Sequence, residues 1–217
     1  MSYIISKETI DPNYKSGGPF HGDKIFIDIM LSTFQSAEYF IETGTAYGDT
    51  LKFISDNFKN IKVISCEPDD YRYGEVTRFI PEAEIVKITS PQIFEHIKEN
   101  HPDAYSKKCV FWLDAHGEYN GTTFWPLREE LDFIKNNYED YYILIDDFKN
   151  PYNPNFKFDM VGNIPCELEY IQDLIGEEDN IYYPTYNQHT SEAWHDLIGW
   201  ILITKDTFSD DRLILHK

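Results

Sequence analysis

The stretch that decides the fold is YFIETGTAYGDT, which runs from Tyr39 to Thr50. A short apolar run ends in the carboxylate of Glu42, and two glycines, Gly44 and Gly48, follow it. An amphipathic segment then begins, so the pattern predicts a strand, a glycine-containing turn and a helix. Glycine lets the backbone turn tightly and approach a ligand closely, and a helix start offers unpaired N–H groups. The stretch is therefore a candidate ligand-binding turn.

A second apolar run, IKVISCE, ends in Glu67, about 20 residues beyond Gly48. In βαβ units that bind nucleotides, an acid at this distance accepts hydrogen bonds from ribose hydroxyls. The first turn has the form Glu-x-Gly-x-x-x-Gly, whereas a pyrophosphate loop prefers Gly-x-Gly-x-x-Gly. It resembles the first motif of the Rossmann-like S-adenosylmethionine (SAM)-dependent methyltransferases. The alternative is an ordinary strand-to-helix turn of an α/β protein, where glycines are common.

Strands and helices alternate along most of the chain. The predicted strands are Tyr39–Glu42, Lys62–Glu67, Glu84–Ile88, Val110–Asp114, Tyr142–Asp146, Ile181–Tyr183, Gly199–Thr204 and Leu213–His216. The predicted helices are Lys24–Gln35, Asp49–Asn57, Asp70–Phe79, Pro91–Glu99, Pro126–Asn136 and Glu167–Ile175. Pro91 and Pro126 suit first helical positions. Apolar strands alternating with helices predict an α/β fold, a doubly wound and mostly parallel sheet with helices on both faces.

The length of 217 residues predicts a single domain with three parts. An N-terminal loop and helix occupy residues 1–38, and the expected SAM-binding core occupies residues 39–148. A C-terminal region, residues 149–217, holds an irregular stretch and the closing strands, and we expect it to face the substrate.

The composition narrows the range of partners and compartments. A formal net charge of −19 argues against a nucleic-acid or anionic-membrane partner, which would need a basic surface. No apolar run approaches the length of a membrane span, and the N-terminus lacks the pattern of a signal peptide. Three cysteines cannot all pair with one another, which favours a reduced, cytoplasmic protein. The sequence leaves a homodimer as one possibility, because methyltransferases of this shape often dimerise.

Two further predicted strands end in acids. Asp114 ends one strand, and Asp146 and Asp147 end the next. Ligands bind at the carboxyl ends of strands in open α/β sheets, so these carboxylates are expected to converge beside the Gly44–Gly48 turn. Clustered carboxylates repel one another unless a cation or a shared proton offsets their charge, and Mg²⁺ prefers oxygen ligands. The pattern therefore predicts a divalent metal site, whereas the alternative is that each Asp caps a helix or begins a turn.

This arrangement resembles the metal-dependent O-methyltransferases of the catechol and macrocin types. The resemblance implies that Asp114, Asp146 and Asp147 bind the metal, and that Asp114 and His116 are the catalytic residues. His116 would be the general base or a further metal ligand. The span Phe40–Phe148 also resembles a group of uncharacterised methyltransferase-like proteins. The implied substrate is a hydroxyl group of a small molecule or a sugar.

The same resemblance implies the contacts with SAM. The expected cofactor-binding residues are Glu42, Gly44, Thr45, Gly48, Glu67, Ser90 and Asp114. Those between Glu42 and Gly48 would hold the methionine end, and Glu67 would bind the ribose. The family often has an Asp for the adenine amine where this chain has Ser90 or Gln92, so one of these is the expected substitute. The catalytic Lys of the family has no counterpart here.

Two other classes of function stay open. The Asp114, His116, Asp146 and Asp147 cluster also suits a metal-dependent hydrolase. A non-catalytic module that binds a nucleoside is the second rival. Aromatic side chains near the C-terminus either line a substrate pocket or pack in the core; they are Tyr183, Tyr186, His189 and Trp194.

Overall fold

The computed structural model of the protein describes residues 3–6, 17–119, 122–187 and 197–216. The strands are β1 (Tyr39–Thr43), β2 (Lys62–Cys66), β3 (Glu84–Val86), β4 (Lys108–Leu113), β5 (Gly117–Tyr119), β6 (Thr122–Phe124), β7 (Asp140–Ile145), β8 (Met160–Val161), β9 (Ile164–Pro165), β10 (Asn180–Pro184), β11 (Ile201–Thr204) and β12 (Leu213–His216). The α-helices are α1 (Lys24–Ser36), α2 (Asp49–Asn57), α3 (Asp70–Phe79), α4 (Gln92–Asn100), α5 (Leu127–Asn137) and α6 (Leu168–Ile171). Short 3₁₀ turns lie at Pro19–Gly22, Pro102–Ser106 and Gln172–Leu174.

Eight strands form one sheet in the order β12-β10-β11-β7-β4-β1-β2-β3. The strands β7, β4, β1, β2 and β3 are parallel to one another, and β11 is antiparallel to β7. Apolar side chains of α1, α2 and α3 cover one face of the sheet. Those of α4, α5 and α6 cover the other face. The predicted doubly wound, mostly parallel α/β sheet is therefore confirmed.

The element boundaries agree with the predicted ones to within one or two residues along the core, with local differences. Pro91 and Pro126 each stand one residue before a helix, at its N-cap, and not at the first helical position. The helix predicted at Glu167–Ile175 divides into the single turn of α6 and a 3₁₀ turn. The β5–β6 and β8–β9 hairpins were not predicted, because strands of two or three residues are too short to show a period.

Strand register brings the predicted acids to one edge of the sheet. Thr43 pairs with Leu113, and Leu113 pairs with Ile145, so β1, β4 and β7 end side by side. The ladder extends one residue further, because the Asp114 N–H donates to the Thr43 carbonyl and the Asp146 N–H donates to the Leu113 carbonyl. The residues that follow these strands must therefore share one cleft.

The C-terminal region is tied to the segment that follows β7. The Phe148 N–H donates to the Gly199 carbonyl at 2.8 Å, and the Gly199 N–H donates to the Lys157 carbonyl at 2.7 Å. A Cβ atom on Gly199 would lie 2.0 Å from the Phe148 carbonyl oxygen, so only glycine fits between these two chains.

The aromatic residues near the C-terminus pack in the core where the structure describes them. Tyr183 is fully buried, and the buried Tyr186 hydroxyl accepts a hydrogen bond from the Trp200 indole. His189 and Trp194 lie outside the described residues. Among the described residues, no helix is both long and apolar enough to cross a membrane.

Candidate active site

The Gly44–Gly48 turn is held close against β4 and α3. Gly44 has a φ of +88°, and a Cβ atom there would lie 3.0 Å from the Asp114 carbonyl oxygen. Gly48 has a φ of +78° and is the N-cap of α2, and a Cβ atom there would lie 2.8 Å from the Ile80 side chain. Both positions have a left-handed backbone, and at Gly44 the backbone of β4 also leaves no room for a side chain, which explains the two glycines.

Glu67 connects this turn to the end of β2. One oxygen of its carboxylate accepts the Ala46 N–H at 2.9 Å, and the other accepts the Asp69 N–H at 2.9 Å. Burial raises the pKa of Glu67, while these two hydrogen bonds oppose the rise. A carboxylate has about four acceptor positions, so Glu67 retains capacity for a ligand's hydroxyl groups.

Two cavities meet at the turn. The larger has a volume of about 440 Å³, and its walls include Glu67, Ser90 and His116. The smaller has a volume of about 140 Å³, and its walls include Glu42 and His21. Gly44, Ala46 and Asp114 belong to the walls of both. The predicted cofactor residues therefore surround a cleft that continues from the end of β2 to the end of β7.

Three of the predicted residues form one cluster at the cleft. The His116 Nε2 atom lies 3.3 Å from an Asp147 carboxylate oxygen and 3.1 Å from one of Asp159. The His116 Nδ1 atom lies 3.7 Å from Asp114. One ligand atom from each of Asp114, His116 and Asp147 fits within 4.8 Å of the others, which is the spacing of a possible metal site.

Asp146 instead faces a histidine that the sequence did not indicate. The His21 Nε2 atom lies 2.6 Å from an Asp146 carboxylate oxygen. His21, Asp146 and Asp147 form a second group with metal-ligand spacing, and Asp147 is common to both groups. The structure therefore brings the predicted ligands Asp114, Asp146 and Asp147 together, but as parts of two overlapping triads.

The loop that carries His21 is built around a neighbouring aromatic residue. Phe20 is buried, stacks on Phe34 and packs edge-on against Trp112. Its N–H donates to the Thr50 side chain at the start of α2. Phe20 and His21 both have positive φ angles, of 50° and 56°. Such a backbone is unfavourable for non-glycine residues, so the anchoring of Phe20 is what holds His21 over the cleft.

The acids and histidines of this cleft shift one another's pKa values. Burial alone would lower the pKa of both histidines, but the adjacent carboxylates outweigh it and raise the pKa of His21 and of His116 to about 10. Burial and the Asp146 carboxylate raise the pKa of Asp114 well above its usual range. Burial also raises the pKa of Asp146, against the effect of His21. The cluster therefore consists of buried acids partly neutralised by two imidazolium groups.

The polar groups of Glu42 and Thr45 are buried and already hydrogen-bonded within the protein. The Glu42 carboxylate accepts a hydrogen bond from Ser65 at 3.0 Å, and burial raises its pKa well above the usual range. The Thr45 hydroxyl contacts Ser65 at 2.7 Å and donates to the Cys66 carbonyl. Both residues line the smaller cavity, and their polar groups already brace the turn.

Ser90 has an acidic partner that the sequence did not indicate. Its hydroxyl donates to the Glu130 carboxylate on α5, and Thr43 also hydrogen-bonds to that carboxylate. Burial raises the pKa of Glu130 to about 7, while the two hydroxyls oppose the rise. Glu130 therefore links the wall of the larger cavity to the end of β1.

Three residues that line the cleft or contact its walls were not predicted from the sequence; they are His21, Glu130 and Asp159. His21 stands in a loop rich in Gly and Pro beside a large aromatic, and that pairing is the one signal that would have found it. Glu130 was hidden in the polar face expected of an amphipathic helix.

The fold is shared with solved structures of methyltransferases. An O-methyltransferase from Bacillus cereus, solved with SAH, has this fold with a TM-score of 0.55 and 13% identity, over 81% of this chain and 77% of that one. TomG from Streptomyces achromogenes, an O-methyltransferase of tomaymycin synthesis solved with SAM, gives a TM-score of 0.55 and 11% identity, over 81% and 76%.

The fold is not restricted to methyl transfer. Spermidine synthase from Thermotoga maritima matches 95% of this chain and 72% of its own length, with a TM-score of 0.54 and 12% identity. No protein-family model matches the sequence, and no curated protein does either. At these identities the similarity establishes the fold, and the function must be argued from the cleft.

Proposed function

We propose that this protein is a SAM-dependent methyltransferase that methylates a hydroxyl group of a small molecule or sugar with the help of a divalent metal. The observation that carries the proposal is the meeting of two cavities at the Gly44–Ala46 turn, with Asp114 in both walls. The larger cavity offers Glu67 for a nucleoside with His116 and Asp147 beside it, and the smaller cavity offers His21 and Asp146. A cofactor and an acceptor could therefore meet beside Asp114.

The residues fit the cofactor by several criteria. The volume of about 440 Å³ lies within the range of small-molecule sites. Glu67 retains acceptor capacity for ribose hydroxyls, and Gly44 and Ala46 lie in the walls of both cavities. The oxygen-rich Asp114, Asp146 and Asp147 set suits a hard cation such as Mg²⁺. When bound, SAM supplies a methyl group on a sulfonium centre, and the cation supplies positive charge beside the acceptor hydroxyl.

His116 is the proton acceptor in this proposal, a role it can take once a bound cation offsets the carboxylates that otherwise keep it protonated. Its Nε2 atom faces Asp147 and Asp159 within 3.3 Å, so these carboxylates favour the tautomer that carries a proton on Nε2. That tautomer leaves Nδ1 as the basic atom, and Nδ1 is 3.7 Å from Asp114, beyond hydrogen-bond distance. The pair of acids would then stabilise the imidazolium that forms when the hydroxyl loses its proton to Nδ1.

Calorimetric titration of the chelator-treated protein with SAM tests the proposal. We expect one site per chain, binding at least about tenfold weaker in Glu67→Gln because ribose contacts are lost, and unchanged binding in Glu82→Gln, an exposed acid that precedes β3. Incubation with SAM, Mg²⁺ and a panel of phenols and sugars should then yield SAH. Absence of SAM binding would exclude the methyltransferase function.

A specific observation also favours the metallohydrolase as a second candidate. Two metal-ligand triads share Asp147, and paired metals bridged by a carboxylate are common in hydrolases of phosphate esters. Hydrolysis of p-nitrophenyl phosphate with Mn²⁺ and without SAM would support this alternative. A protein that binds SAM but neither transfers methyl nor hydrolyses esters would fit the non-catalytic nucleoside-binding module.

A further inference from the structure

A third group of side chains with metal-ligand spacing lies at the opposite edge of the sheet from the cleft. Glu84 begins β3, and His96 and His101 lie on α4 and just after its end. Because α4 begins near the carboxyl end of β3 and runs back along the sheet, its last turn returns to the start of that strand. This cluster therefore shares no residue with the candidate active site.

The two histidine side chains of this cluster converge on the Glu84 carboxylate. The His96 Nε2 atom lies 2.6 Å from one Glu84 oxygen, and the His101 Nε2 atom lies 2.9 Å from the other. One ligand atom from each of the three residues fits within 4.8 Å of the others. His101 is buried and the other two are half-buried, so the cluster is partly shielded but reachable from solvent.

We propose that Glu84, His96 and His101 form a binding site for a divalent transition metal of the Zn²⁺ type. Two imidazoles and one carboxylate are a ligand set that Zn²⁺ uses when it keeps a further position for water or another ligand. Ligands about 2.0–2.1 Å from a tetrahedral ion lie roughly 3.3 Å apart, so the two Glu84–histidine distances need to grow by only about 0.4–0.7 Å. Imidazole also disfavours Mg²⁺, which is the ion suited to the aspartate cluster.

Lys62 is the feature that regulates the proposed site. Its ammonium group lies 2.9 Å from His101 Nδ1 and 3.6 Å from Glu84. An ammonium group only donates, so His101 Nδ1 is the acceptor and its proton lies on Nε2, facing Glu84. Metal binding at Nε2 moves that proton to Nδ1, where it would meet Lys62. The Lys62 side chain is 42% exposed and can turn into solvent, so it competes with the metal without blocking it.

Titration with Zn²⁺ in an Asp147→Asn background tests this site, because that substitution removes the residue common to both active-site triads. We expect one site per chain, at least about tenfold weaker after His96→Ala and about fivefold tighter after Lys62→Ala, because a repelling charge leaves. Glu95→Gln, an exposed acid on the same helix, should change nothing. Co²⁺ should give the visible absorption of a low-coordinate nitrogen-containing site.

Circular dichroism establishes that each variant is folded before its affinity is compared. Zn²⁺ binding that is the same in His96→Ala, or no tighter in Lys62→Ala, would overturn the proposal. The Lys62→Ala result keeps the test decisive if His96→Ala does not fold. Neither result depends on SAM, so the proposed methyltransferase function stands or falls separately.

Discussion

Replacing Gly44 by alanine is the sharpest test of how the turn builds the cleft. A left-handed backbone costs a non-glycine residue about 1–2 kcal/mol. The new Cβ atom would also lie 3.0 Å from the Asp114 carbonyl oxygen and 3.4 Å from the Ala115 Cα atom, neither of which can rotate away. The contact should add about 1 kcal/mol, within the usual cost of overpacking. We expect Gly44→Ala to lower the free energy of unfolding by about 2–3 kcal/mol.

Substitutions at two other glycines separate the backbone cost of Gly44→Ala from its steric cost. Gly162 has a φ of +63°, and no atom lies within 4 Å of the point where its Cβ atom would stand, so Gly162→Ala should cost only the backbone part, about 1–2 kcal/mol. Gly74 lies inside α3 with no steric contact and no positive φ, so Gly74→Ala should stabilise the protein by about 0.5–1 kcal/mol.

Thermal unfolding and SAM titration are the measurements. For a chain of this size, 1 kcal/mol corresponds to about 2–4 °C, so Gly44→Ala should lower the Tm by about 4–12 °C. Because Asp114 would be displaced, SAM affinity should also fall by at least about tenfold in Gly44→Ala alone. The reasoning is refuted if Gly44→Ala loses no more stability than Gly162→Ala and binds SAM like the unaltered protein.

Three further predictions concern charge in the cleft. Glu130 has a pKa of about 7 in the folded protein, above that of an unfolded Glu, so its burial costs stability progressively as the pH rises from about 4.5 to 7. Glu130→Gln should therefore gain stability relative to the unaltered protein at pH 8, by at most about 3 kcal/mol, and show little difference at pH 4, as denaturant titrations at the two pH values would reveal. His21→Ala should tighten Mg²⁺ binding several-fold by calorimetry, because a positive charge beside Asp146 leaves, and should leave SAM affinity unchanged; a loss of SAM affinity would contradict the assignment of His21 to the acidic side of the cleft. Asp147→Asn should weaken Mg²⁺ binding, because Asp147 belongs to both triads; an unchanged affinity would argue against a shared ligand.

The parts of the fold that could be predicted are those that depend on residues close together in the sequence. The β1–α2 turn, the run before Glu67 and the acids after β4 and β7 follow from apolar runs and from the residues that end them. Parallel register then places Asp114 and Asp146 side by side, because Leu113 pairs with Ile145.

The parts that the sequence could not predict depend on contacts between distant segments. His21 reaches Asp146 across 125 residues of sequence, and Ser90 reaches Glu130 across 40. No local periodicity encodes such pairs, since either partner alone is an ordinary loop or helix residue. The division of the acids into two triads is likewise invisible until the N-terminal loop is folded over the sheet.

The backbone contact at Gly199 has a consequence for how this protein can diversify. It joins Phe148, directly after the aspartate pair, to Lys157 and to the entrance of β11. Residues 149–157 and 197–200 therefore form one packed unit, and a change in one segment requires a matching change in the other. A chimaera that exchanges residues 149–157 alone for those of another protein should lose its folded junction, whereas one that exchanges residues 149–157 and 197–200 together, with the glycine retained, should keep the geometry of the aspartates.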